Sequence, residues 1–170
     1  MSSITDRISN SNIEPKPGEW IAPKEFADVI RLTPLVAIDL IVRSPEQRVL
    51  VGRRINEPAR GLLFVPGSRI SKNETRAAAF RRISHEELGH EVPIEQARFV
   101  GVYEHFYPTN RFGAEGFGTH YIVLAHELRI NLDPSKLPTD QHGEYLWLSP
   151  DELLRSAEVH ENTKAYFRTG

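Results

Sequence analysis

The sequence contains no cysteine. Disulfides and thiolate metal sites are therefore excluded, and the usage fits a reducing compartment. No apolar run approaches the ~20 residues of a membrane-spanning helix, and the first residues carry no apolar signal-peptide core. Neither sign of charge dominates: 21 Lys and Arg stand against 23 Asp and Glu, a formal net charge of −2. That balance supplies no bulk field for a polyanion and argues against a nucleic-acid partner. These absences lead to the expectation of a soluble cytoplasmic protein with neither membrane nor nucleic acid as partner. What remains is ordinary globular composition, 39% apolar and 26% charged over 170 residues. This length fits one domain.

Residues 1–18 are polar, lack aromatics and end in two prolines and a glycine. They read as a disordered tail, which leaves a single domain over residues 19–170. Lys24 to Leu32 has apolar residues near helical spacing and reads as a helix, stopped before Pro34. Leu35 to Val42 is apolar on both faces and predicts a central strand. Further strands are expected from Val49, over Leu62–Val65, over Ala97–Tyr107, over Thr119–Ile130 and over Tyr145–Leu148. Ser71-x-x-Glu74 matches a capping box, opening a helix that runs to Gly89. Asn131 to His142 reads as a loop. Ser149-Pro150-Asp151-Glu152 opens another helix, and a last one is expected over Thr163–Arg168. Strands interleaved with a few helices argue for one α/β or α+β domain.

Two places suggest chemistry. Asp39 lies amid Leu35, Val36, Ala37, Ile38, Leu40, Ile41 and Val42. An unpaired buried carboxylate costs several kcal/mol, so Asp39 requires an arginine or a ligand hydroxyl as partner. The second place is Gly67 to Gly89. A turn after an apolar strand leads into a helix that carries Glu86 and Glu87 at its far end, against the helix dipole. A bound divalent cation would make that placement favourable. Arg82, four residues before Glu86, is equally consistent with a surface ion pair.

These residues resemble the signature of Nudix hydrolases: Gly, five residues, Glu, seven residues, then Arg-Glu-apolar-x-Glu-Glu-x-Gly-apolar. Glu74, Arg82, Glu86, Glu87 and Gly89 match. Ser68, Ile83, Ser84 and His90 depart from it. Over roughly residues 20–168 the chain resembles one subgroup, the GDP-mannose mannosyl hydrolases. The matching segments are Thr33–Val36, Gly52–Ala59, Phe64–Arg69, Gly101–Tyr107, Thr119–Tyr121, Leu137-Pro138-x-x-Gln141-His142 and Val159-His160-x-Asn162. That subgroup also carries an apolar residue where Ile83 stands.

The resemblance implies a Nudix fold, a mixed β-sheet sandwiched between helices, in a homodimer. It implies hydrolysis of a GDP-sugar, with GDP-mannose first and GDP-glucose next, by attack of water at the sugar C1 with inversion. The metal, Mg²⁺ or alternatively Mn²⁺, is implied on the carbonyl of Gly67, the carboxylate of Glu87 and the amide oxygen of Gln141. Oxygen ligands of this kind suit Mg²⁺. His142 matches the general base, a role suited to a side chain titrating near neutrality. Arg54 matches an arginine on the diphosphate, where a planar guanidinium fork grips phosphate oxygens. Arg69 and Tyr121 match residues that stabilise the departing diphosphate. Asp39 and His105 match residues near the sugar. Two other readings stay open: a pyrophosphatase that cleaves the P–O–P bridge of a nucleotide sugar, and a Nudix domain that only binds one.

Overall fold

The computed structural model describes residues 21–168; the tail expected over 1–18 lies outside them. β1 (Leu35–Arg43) is the axis of the sheet. It runs parallel to β6 (Thr119–Arg129) over its whole length, from Leu35↔Tyr121 to Arg43↔Arg129. On its other side it pairs antiparallel with β4 (Gly67–Arg69) and, at its end, with β2 (Val49–Arg54). β2 also pairs antiparallel with β3 (Leu63–Phe64) and β7 (His142–Leu148). β5 (Arg98–Tyr107) closes the far edge on β6. The result is one seven-stranded mixed sheet.

Alternation along β1 divides the core between the two faces. Ile38, Leu40 and Val42 pack under helix α2 (Arg76–Leu88) with Phe80, Ile83 and Leu88. On the other face Val49, Val51, Leu63 and Val65 pack against Leu153 of α3 (Pro150–Arg155) and Val159, which precedes α4 (Glu161–Ala165). A third cluster joins Phe26 and Ile30 of α1 (Pro23–Leu32) to Leu35. Helices therefore cover both faces, as the resemblance implied. Among the described residues no helix is long and apolar enough to cross a membrane.

Several boundaries differ from the sequence-based expectation. The cap of α2 is Thr75, whose side chain accepts from Ala78 N, and not Ser71. The Ser71/Glu74 pair makes only half a box: Ser71 N donates to a Glu74 carboxylate oxygen that Arg82 also grips. The third strand is shorter than expected, Leu63–Phe64 alone. It breaks at Val65-Pro66 and resumes as β4 across from β1. β7 begins at His142, which the loop reading had left outside it, because the backbone there pairs with Arg54. The last helix spans Glu161–Ala165 rather than Thr163–Arg168, capped by the His160 side chain, which accepts from Asn162 N. The capping box at Ser149/Glu152 is present in full.

Candidate active site

β1, β2, β4, β5, β6 and the start of β7 surround a cleft of about 430 Å³. Eight of the nine residues singled out in the sequence line it: Asp39, Arg54, Gly67, Arg69, His105, Tyr121, Gln141 and His142. The ninth, Glu87, does not reach the cleft wall and lies behind His142.

Helical geometry explains Glu87. It follows the fully buried Ile83 by four residues and so shares the inward face of α2, at 2% exposure. Glu86 turns the other way and pairs with Arg82. Neither carboxylate oxygen of Glu87 has a hydrogen-bond partner. His142 Nδ1 lies 3.4 Å from its Oε2. An ionised carboxylate with both oxygens bare in the interior is unfavourable unless a cation completes it. The residues present fit a hard divalent ion: Glu87, behind the cleft wall, offers two unclaimed oxygens, and Gly67 and Gln141, on that wall, add a carbonyl and an amide oxygen.

The imidazole of His142 has a defined orientation. The single hydroxyl proton of Tyr145 is donated to Pro138 O at 3.0 Å, so the Tyr145 oxygen facing Nδ1 at 3.3 Å accepts. Glu87 also only accepts. With Tyr145 giving its proton to Pro138 O, the Nδ1–H tautomer satisfies these neighbours and leaves the lone pair on Nε2. Gly52, on β2, makes room for the ring: a Cβ there would stand 2.6 Å from His142 Cδ2 and Cγ. Nothing in the sequence marked Gly52 or Tyr145 for these parts.

Asp39 lies on the face of β1 opposite α2. It is half-buried, and its pKa rises to about 6, chiefly from desolvation; a hydrogen bond from Tyr166 and the charge of Arg54 oppose the rise. Among the described residues no arginine forms a salt bridge with it. The partner is the Tyr166 hydroxyl, which donates to Oδ2 at 2.6 Å. β4 passes so close that a Cβ on Gly67 would lie 2.4 Å from Asp39 Oδ1 and 2.6 Å from Ile38 O. Gly67 is therefore glycine for space.

His105 and Tyr121 are cross-strand partners on β5 and β6. Burial, with a smaller contribution from His160, lowers the His105 pKa to about 4, so its ring is neutral near neutral pH. Desolvation raises the Tyr121 phenol, with Arg54 and Arg69 pulling it down. Neither arginine has a carboxylate partner among the described residues. Arg54 lies over the Phe64 ring at 5.3 Å and Arg69 over the Phe26 ring at 4.6 Å. Two guanidinium groups stacked on aromatics and otherwise uncommitted make the cleft receptive to a polyanion.

The departures from the common signature have local causes. Ser68 sits in β4 opposite Ile38, in a strand that requires no positive φ. Ile83 is a core residue of α2. The Ser84 hydroxyl donates to Arg81 O and accepts from Val92 N, anchoring the chain after the helix. Arg82 clasps Glu74 through two hydrogen bonds of 2.7 and 2.8 Å and also donates to Arg69 O. It ties α2 to the loop before it and to β4.

Residues 33–168 match the family model of the NUDIX domain. The chain is 40% identical over 136 residues to the low-salt glycan biosynthesis protein Agl8 of Haloferax volcanii, spanning 79% of this chain and 83% of that protein. Among solved structures, the MutT protein from Methanosarcina mazei Go1 superposes with a TM-score of 0.63 at 17% identity, over 80% of this chain and 92% of that one. The NUDIX domain of Shewanella oneidensis NrtR, complexed with ADP ribose, gives a TM-score of 0.58 at 15% identity, over 97% and 95%. At these identities the two structures speak to the fold.

Proposed function

The chain belongs to the NUDIX family of hydrolases, and from that premise we propose that it hydrolyses a GDP-sugar, GDP-mannose before GDP-glucose, to GDP and free sugar. The observation that carries this reading is the setting of His142: a cleft-lining imidazole whose Nδ1 faces two acceptors, leaving Nε2 as the proton acceptor. Water loses a proton to Nε2 as its oxygen bonds to C1 of the sugar. The C1–O bond to the diphosphate breaks on the opposite face, inverting the centre. Arg54 and Arg69 hold the departing diphosphate oxygens, with Tyr121 beside them. Asp39 and His105 accept hydroxyls of the sugar.

Hydrolases of this family use divalent metal ions such as Mg²⁺. Here the Gly67 carbonyl, Glu87 and Gln141 would hold Mg²⁺, with Mn²⁺ as substitute, and the ion would supply charge neutralisation on the leaving diphosphate. The glycan role in the name of the Agl8 relative suits a nucleotide-sugar substrate.

Cleavage of the P–O–P bridge is the competing outcome. The buried Ile83 stands where the common signature has an acid, and so gives no carboxylate for the metal or base role that acid fills in many relatives. Turnover of GDP-mannose in ¹⁸O-labelled water with Mg²⁺ separates the two. Label in the free sugar and release of GDP is the expected result; label in phosphate and release of GMP would replace it. His142→Gln should lower kcat by roughly 10²- to 10⁴-fold while GDP still binds. Metal-independent binding without turnover would leave only a binding domain.

A further inference from the structure

We propose that Tyr166, which lies outside the cleft, is a positioning residue that fixes the acceptor pattern the cleft offers to the sugar: its hydroxyl engages Asp39 Oδ2 and His105 Nε2, leaving Asp39 Oδ1 and His105 Nδ1 as bare acceptors for two hydroxyl donors. The inference rests on the nucleotide-sugar reading above and states what the sugar end must provide.

Tyr166 caps the C-terminus of α4, 127 residues along the chain from Asp39. Its helix is pinned to the sheet. His160 N donates to Leu63 O at 3.1 Å and Leu63 N to Glu158 O at 2.8 Å. Val65 N reaches Thr163 Oγ1 at 3.4 Å. The Tyr166 ring packs edge-on against Tyr103 at 4.7 Å. The hydroxyl therefore arrives at Asp39 from a rigid support.

Proton accounting assigns the rest. A phenol has one hydrogen to give, and a carboxylate can only accept. The 2.6 Å contact with Asp39 Oδ2 therefore takes that hydrogen. His105 Nε2 lies 3.2 Å from the same hydroxyl oxygen, which has only lone pairs left for it. Nε2 must then carry the hydrogen and donate. Because burial keeps His105 neutral, its one ring proton is accounted for and Nδ1 is bare. A chain runs from His105 Nε2–H through the Tyr166 hydroxyl to Asp39. The two cleft residues it joins come from β5 and β1, strands that do not touch each other but both flank β6. Phenylalanine would fill the same slot against Tyr103 without organising either group.

The test is Tyr166→Phe in the full-length protein. Steady-state turnover of GDP-mannose with Mg²⁺ should lose about tenfold or more in kcat/KM, the scale of a hydrogen bond to a charged group. Calorimetric affinity for GDP, which has no sugar, should stay within about twofold. Imidazole ¹⁵N shifts, with the His105 signal identified by its loss in His105→Gln, should report the Nε2–H tautomer in the wild type and lose that bias in Tyr166→Phe. Unchanged kcat/KM, GDP affinity falling in step with kcat/KM, or an Nδ1–H tautomer in the wild type would each overturn the assignment. If the wild type turns over no nucleotide sugar, the functional reading fails on its own, and the tautomer still decides whether Tyr166 sets the acceptors.

Discussion

Gly52 and Gly67 are glycines because a neighbour's side chain occupies the space of a Cβ, and both neighbours are cleft residues. Neither has a positive φ, so alanine suits the backbone at either position and the collision is purely local. Gly52→Ala should push the His142 ring off its seat and lower kcat by about 10²-fold, the scale of a displacement near 1 Å. Kinetics beside a thermal melt check it: the loss in kcat should far exceed what the change in stability accounts for. His105 gives a second prediction. In the unfolded chain it takes up a proton near 6.5, whereas burial in the fold delays protonation to about 4. The unfolded state thus binds more protons in that window, and this contribution to stability is lost as pH falls from 6.5 towards 4, by no more than about 3 kcal/mol. Asp39, raised to about 6, acts in the opposite sense: its burden is relieved as pH falls through that value. The wild-type curve alone masks both. The difference in unfolding free energy between wild type and His105→Gln, from urea melts at pH 7 and pH 4.5, should shrink at the lower pH.

At the scale of the element, α2 separates its two glutamates by function. Its inward face carries Ala79, Phe80, Ile83 and Glu87, and its outward face carries Arg82 and Glu86. The helix ends on Gly89 in the left-handed region at φ 72, which places Glu87 in the last turn. Restoring the acid of the common signature at Ile83 would insert a carboxylate among Phe80, Leu40 and Leu88. We expect Ile83→Glu to cost on the order of 3 kcal/mol or more without raising activity, as measured by urea denaturation and turnover. The sequence made the helix legible through its apolar spacing and its glycine, but misplaced its start by four residues. Glu74 suits a capping box in one dimension; in space Arg82 takes it.

For the whole molecule, the unpartnered oxygens of Glu87 tie the proposed metal site to folding. Mg²⁺ held as proposed on Gly67, Glu87 and Gln141 would bind the folded chain and not the unfolded one. At a hundred times its dissociation constant it should add about 2.7 kcal/mol of stability, read as a rise in Tm that Glu87→Gln abolishes. No change in Tm on adding Mg²⁺ or Mn²⁺ would remove the metal from this site.

Strand and helix order follow from the sequence because apolar alternation, prolines and glycines act over a few residues. The candidate residues were also legible, since a motif names types at fixed spacing. What only the tertiary structure decided is how those residues meet. Glu87 faces His142 because a helix face and a strand start converge across a separation of 55 positions. Tyr166 reaches Asp39 because α4 docks on β3. Gly52 and Tyr145 shape the seat of His142 through contact alone. Local pattern determines which element a residue joins; its protonation, its exposure and its partner depend on neighbours distant in the chain, and packing alone brings those together.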